Sequence, residues 1–323
     1  GFINSGSHCH NIGHGHIVVE VRDGKVVSKT VSTGLIPVKA EPVDEKMEAE
    51  FHEDYLAVKE FTLQRVGELK TELRTSDGYV GMSDYLALVH RLGLSQPGVD
   101  LSFAAPLTFN GIVKSGAIIY NDLFTIYPYE NQMFVVKMSG REIKDYLEVS
   151  YAQWINTLTP AQLSRPISDA SPALLKIVNQ PDPRTSRQSW SFQNRSYNFD
   201  SAAGINYTVD VTKPSGERIS ISSMADGAAF DFAREYNVAM TSYRACGGGG
   251  LLHAIGIDTS DIDSRIVARL PEYRNILYSY LQSHPVLTSE ELGDTSVTGT
   301  WKFVPEKQVG PFLRNDMCRL FGE

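Results

Sequence analysis

Residues 132–154 read QMFVVKMSGREIKDYLEVSYAQW, and the change of pattern halfway along decides the fold class. QMFVVKM is a β-branched, apolar run of strand length, Ser139-Gly140 makes a turn, and REIKDYLEVSYAQW continues with helical spacing. Upstream, MSDYLALVHRL (82–92) reads as a helix with one buried side and VDLSFAA (99–105) as a strand. AIIYNDLFTIYPY (117–129) is strand-rich, with an Asn-Asp break. Downstream, residues 165–200 hold four prolines among Ser, Asn, Gln and Arg and read as irregular. GINYTVDV and EYNVAMTSY are further strands, and RIVARLPEYRNILYSYLQ (265–282) reads as a late helix interrupted or kinked at Pro271. Strands and helices alternate without a strict βαβ repeat. The expected class is therefore mixed α/β, α+β-like: a layered mixed β-sheet domain flanked by helices, over residues 75–323.

The N-terminal part differs. HIVVEVRDGKVVSKTV (16–31) is a hairpin, two β-branched runs meeting at Asp23-Gly24. A lone hairpin is not stable in water and should lean on a larger sheet. After Pro37 and Pro42, Asp44 can cap a helix whose apolar positions Met47, Phe51, Tyr55, Val58 and Phe61 share one face, with acids on the other. The expected division is a hairpin in 1–40, a connector helix in 41–74 and the α/β domain beyond. Gly1 reads as a scar of truncation, so the chain is expected to begin within a larger protein.

With 323 residues and 42% hydrophobic content the chain can bury a large core. A net charge of -8 argues against a nucleic-acid polymer as partner, which would need clustered Lys and Arg. Three scattered cysteines make no disulfide framework, and no apolar run is long enough to span a membrane.

SHCHNIGHGH (7–16) holds four of the eight histidines and Cys9. Imidazole and thiolate suit zinc or a pair of hydrolytic metals, but a catalytic centre also needs ligands and carboxylates from elsewhere. His52, His90, His253 and His284 are scattered, and no HExxH or CxxC occurs. No metal ligand and no catalytic residue is expected in this chain.

Two stretches could bind a ligand. In IYPYENQ (126–132), period-two alternation puts Tyr127, Tyr129 and Asn131 on one side, an aromatic plane beside an amide. A tyrosine face can stack on a base and an amide can read its edge, although from the residues alone a tyrosine-rich strand end packed on the core is the favoured reading. In TSYRACGGGG (241–250) four glycines after a strand let backbone approach a ligand, or simply make a turn beside Tyr243. Leu251 and Leu252 follow where a Walker loop needs Lys-Ser/Thr.

FAAPLTFNGIVKSGAIIYNDLFTIYPYENQMFVVKMSGREIKDYLEVSYAQW, then SYNFDSAAGINYTVDVTKP, then VAMTSYRACGGGG resemble, in that order and over roughly residues 75–285, the C-terminal domain of the 5'-nucleotidase family. The resemblance is greatest to the bacterial periplasmic 2',3'-cyclic-nucleotide 2'-phosphodiesterase/3'-nucleotidase branch. It implies a periplasmic or secreted protein in which an N-terminal metallophosphatase domain with two divalent metals does the hydrolysis, while this domain grips nucleosides or nucleotides. HGHIVVEV then resembles the last strands of that partner domain, and the chain alone is expected to be inactive. Residue by residue, the resemblance implies that Tyr129 and Tyr243 sandwich the base, with Asn131 and backbone near Gly247 and Gly248 orienting it. Asn110 in LTFNG stands where 5'-nucleotidases place a phosphate-side arginine, and Gly249 where they place a ribose-holding acid, which favours cyclic or 3'-nucleotides. A non-catalytic module that uses the same tyrosines as a carbohydrate platform remains the alternative.

Overall fold

The structure, a computed structural model, describes residues 3–6, 8–168, 170–181 and 186–322. Gly1, read above as a scar, and Ser7 at the head of the histidine run lie outside the described residues. The chain divides into two compact units, Gly1–Phe61 and Thr62–Glu323.

The first unit holds a two-stranded antiparallel sheet, Asn11–Arg22 with Lys25–Pro37, longer than the hairpin expected. Asp23 (φ 51) and Gly24 (φ 73) are both left-handed, the geometry that a two-residue turn between right-twisted strands requires. The helix expected after Asp44 is Glu45–Thr62, and Asp44 caps it: its Oδ1 accepts the N–H groups of Lys46 and Met47 at 3.0 and 3.1 Å. Of the stretch 41–74, Arg65–Leu69 and Leu73–Arg74 are strands of the second unit, not connector.

The second unit is built around a five-stranded mixed sheet in the order Ser201–Ala203, Leu101–Ala104, Glu235–Thr241, Gln132–Ser139, Ile266–Glu272. Leu101–Ala104 and Glu235–Thr241 run parallel, and the other three pairings are antiparallel. Smaller sheets and helices pack around it; the helix Asp84–Leu94 buries nine consecutive residues, Tyr85 to Gly93. This is the mixed, layered α/β architecture expected from the strand–turn–helix at 132–154.

That stretch folds as Gln132–Ser139 followed by the helix Gly140–Trp154. The switch is made by a capping box: Ser139 Oγ accepts the Glu142 N–H at 3.2 Å, and Glu142 Oε2 accepts the Ser139 N–H at 2.8 Å. Ser139→Ala should cost about 1 kcal/mol, read as a lowered urea midpoint at unchanged m-value. At its far end this helix delivers Tyr151 and Trp154 into an aromatic core with Trp301 and Phe199.

Three local expectations are corrected. Residues 265–282 are not one kinked helix but the strand Ile266–Glu272 and then the helix Tyr273–Ser283. Pro271 is tolerated because the strand lies at the sheet edge and its register slips between Leu270 and Glu272, where no ladder donor is missed. In 117–129 the strand Gly116–Ile119 gives way to a short helix, Asp122–Ile126, and Asp122 Oδ2 accepts the Ile119 N–H at 2.9 Å. The region 165–200 contains a strand pair, Ile177–Pro181 with Gln188–Phe192.

Candidate functional site

The strand register brings the candidate residues together at one end of the central sheet. Thr241 pairs with Met133 and Gln132 with Glu272. The end of Glu235–Thr241, the start of Gln132–Ser139 and the end of Ile266–Glu272 therefore coincide. Ser201 pairs with Ala104, which adds the residues just before Ser201. Around this end lies a cavity of ≈ 230 Å³.

Tyr129, Asn131 and Tyr243 all line it, and so does Tyr127; residues 127–131 form no strand but join the helix Asp122–Ile126 to the strand Gln132–Ser139, so period-two alternation is not what brings them together. Depth separates the tyrosines: Tyr127 is 1% exposed, whereas Tyr129 and Tyr243 are 38% and 42% exposed at the mouth. Tyr197 joins those two, its ring 6.0 Å from Tyr129 at 76° and 6.3 Å from Tyr243 at 86°, edge-on to both. Rings from distant parts of the chain thus meet at one opening.

Two buried arginines hold this arrangement, and sequence reasoning did not single them out. Arg244 forms a bidentate pair with Asp200, Nε to Oδ2 at 2.8 Å and Nη2 to Oδ1 at 3.0 Å. Its remaining donors reach the carbonyls of Gly248 (2.6 Å) and Tyr197 (3.0 Å) and Asn198 Oδ1 (3.2 Å). One guanidinium thus ties the segment carrying Tyr197 to the glycine run behind Tyr243. Burial works against its charge, but the Asp200 carboxylate outweighs this and holds Arg244 above its ordinary range. Tyr146 donates its hydroxyl to Asp200; burial, then the carboxylate's charge, push that phenol well up, so it stays a donor. On the other side, Arg274 Nη1 donates to the carbonyls of Tyr127 and Tyr129, both at 3.3 Å. Arg244 and Asp200 stand in the quoted blocks SYRACGGGG and SYNFD, but no local pattern marks either charge as buried.

The glycine run is a packing device. A Cβ on Gly248 would sit 2.5 Å from the Tyr243 ring, and one on Gly249, whose φ is +73°, 2.3 Å from Arg244 Nη1. Gly247 and Gly248 are not among the cavity's lining residues; they lie behind Tyr243, where the Gly248 carbonyl holds Arg244. Asn110 is exposed and likewise not among the lining residues.

Among the described residues, no group of three or more His, Cys, Asp or Glu side chains is placed to hold a metal ion. His14 and His16 lie on exposed hairpin backbone opposite Gly34 and Ser32. The donors among the described residues do not fit a dinuclear centre. No helix among the described residues is long and apolar enough to cross a membrane.

Comparison with known proteins gives a consistent result. The family profile described as 5'-nucleotidase, C-terminal domain, matches residues 65–255. The trifunctional nucleotide phosphoesterase protein YfkN of Bacillus subtilis is 30% identical over 181 residues, 52% of this chain and 10% of that protein. The 2',3'-cyclic-nucleotide 2'-phosphodiesterase/3'-nucleotidase of Haemophilus influenzae is 29% identical over 207 residues, 60% of this chain and 26% of that protein. The chain therefore spans only a minor part of these curated relatives. Among solved structures, a Staphylococcus aureus protein assigned as a 5'-nucleotidase superposes with a TM-score of 0.60 at 19% identity, covering 90% of this chain and 50% of that one. The 5'-nucleotidase precursor of Thermus thermophilus does so with a TM-score of 0.54 at 15% identity, over 92% and 50%. At these identities the structural likeness speaks for the fold.

Proposed function

The chain belongs to the 5'-nucleotidase family through its C-terminal domain, and from that premise we propose that its cavity takes the base of a nucleoside or nucleotide between Tyr129 and Tyr243. The observation that supports this best is the pair of half-exposed tyrosines, Tyr129 just before the strand Gln132–Ser139 and Tyr243 just after Glu235–Thr241, flanking the mouth of an aromatic cavity and bridged by Tyr197. A flat heterocycle presents two faces to such rings, each stack contributing about 1–3 kcal/mol. Asn131, beside the opening, offers a donor and an acceptor to the base edge. Arg244 and Arg274 fix the two sides of the slot before the ligand arrives, which lowers the ordering cost of binding.

In the complete protein the bound nucleotide would present its phosphoester to a metallophosphatase domain preceding this chain. Two divalent metals there would supply water activation and stabilisation of the phosphoryl oxygens. This chain's part is binding and orientation, and by itself it would not turn over substrate. The substrates are 2',3'-cyclic nucleotides or 3'-nucleotides, since Asn110 and Gly249 replace groups used for 5'-monophosphates, and the compartment is the periplasm or the exterior.

Calorimetric titration with adenosine tests the clamp. Tyr129→Ala and Tyr243→Ala should each weaken binding by about 1–3 kcal/mol, and the double variant should give no heat. Heats equal to wild type would remove the clamp, and displacement of adenosine by a glycan panel would favour a carbohydrate module instead.

A further inference from the structure

Two phenols on the inner wall of the cavity are not used by the clamp. Tyr127 and Tyr273 both line it, each is 1% exposed, and their rings stack at 4.6 Å and 1°. Among the described residues the Tyr273 hydroxyl has no hydrogen-bond partner, and the Tyr127 hydroxyl has none of good geometry, only the Asn131 side chain beside it. The comparably buried Tyr79, Tyr85, Tyr146, Tyr151, Tyr207 and Tyr236 all have a well-formed partner. The two phenols that lack one are both cavity-lining. A buried hydroxyl with no partner is penalised, and phenylalanine would fill the same space without that penalty. Their position is what gives the hydroxyls a use.

The surroundings say what that use is. Asn131 joins the two segments: its backbone carbonyl accepts the Tyr273 N–H at 3.0 Å, and its side-chain amide beside the Tyr127 hydroxyl opposes the rise that burial and Tyr273 impose on that phenol. Burial, reinforced by the charge of Asp200, pushes the Tyr273 phenol up as well. Both phenols therefore stay protonated near neutral pH and can donate and accept. Behind the two clamp rings the cavity thus offers polar groups in an aromatic wall, suited to the carbonyl, amine and ring-nitrogen edge of a heterocycle.

We propose that Tyr273, assisted by Tyr127 and Asn131, is a specificity-determining residue whose hydroxyl hydrogen-bonds the polar edge of the base held by Tyr129 and Tyr243. The proposal rests on the base-clamp reading and adds to it how the base is told apart. A site that hydrogen-bonds a ligand edge rejects ligands lacking the matching group, because its own buried group is then left unpaired.

The test is calorimetric titration of the whole chain with adenosine, guanosine, cytidine and uridine, for wild type, Tyr273→Phe and Tyr127→Phe, with a melting curve for each. The expected result is that Tyr273→Phe weakens the preferred nucleoside by about tenfold or more, narrows the spread among the four, and melts at or above the wild-type temperature. A smaller loss of affinity, with wild type still binding, would overturn this proposal and leave the clamp standing. Weakening together with a lowered melting temperature would assign the hydroxyl to the fold and also overturn it. If wild type binds none of the four, the clamp fails and this proposal with it.

Discussion

Replacing Asp200 by alanine is expected to destabilise the second unit by about 3–5 kcal/mol, a fall in melting temperature of roughly 10 °C. Side-chain exposure of the Arg244–Asp200 pair is 3% and 7%, so alanine would leave a buried guanidinium without its counter-charge. Tyr146 would lose its acceptor in the same step. Because Arg244 also holds the carbonyls of Tyr197 and Gly248, nucleoside binding should fall further than the stability loss explains at temperatures where the variant is folded. A double variant, Asp200→Leu with Arg244→Met, separates the two roles. Apolar residues of similar size often replace a buried ion pair without net cost, so part of the stability should return, while binding should not. A melting temperature for Asp200→Ala within a degree or two of wild type would refute the assigned role.

Acid should weaken this protein through His90. The ring is 0% exposed, between Ser102 Oγ at 3.3 Å and Ser201 Oγ at 3.1 Å, bridging two neighbouring strands of the central sheet. Burial drives its pKa down from 6.5 to about 3, with a hydrogen bond from the ring to the Ser102 backbone acting the other way. The folded-state value is depressed, so between these limits the unfolded chain binds a proton that the folded chain refuses. The stabilisation from the neutral ring is complete above pH 6.5 and is lost as pH falls toward 3, at about 1.4 kcal/mol per unit. From pH 6.5 to 5, wild type should lose about 2 kcal/mol more than His90→Gln, whose amide cannot titrate. Urea titrations of both proteins across that interval give the answer, and parallel pH profiles would exclude His90 as the cause.

The aromatic pair and the arginines behind it were unequally visible in the sequence. Tyr129 and Tyr243 stand out through the resemblance of their blocks to the nucleotidase domain, since from the residues alone a tyrosine-rich strand end packed on the core was the simpler reading. Arg244 and Asp200 were in the quoted blocks but carried no local signal, since a charge is ordinarily solvated and only burial shows that it must be paired. The late strand was misread for a related reason. RIVARLPE contains a proline that breaks either element, and its tolerance depends on the strand's place at the sheet edge, which no local pattern encodes.

Local chemistry determined what is local: the strand–turn–helix at 132–154, the Asp23-Gly24 turn, the Asp44 cap and the mixed α/β class follow from periodicity and capping within a few residues. Three-dimensional pairing decided the rest. Strand order and register brought five segment ends to one cavity, set Tyr197 against both clamp rings, buried Arg244 on Asp200 and stacked Tyr127 on Tyr273 in the cavity wall. Those relations depend on burial and on contacts between residues far apart in the chain, and neither exists until the sheet has closed.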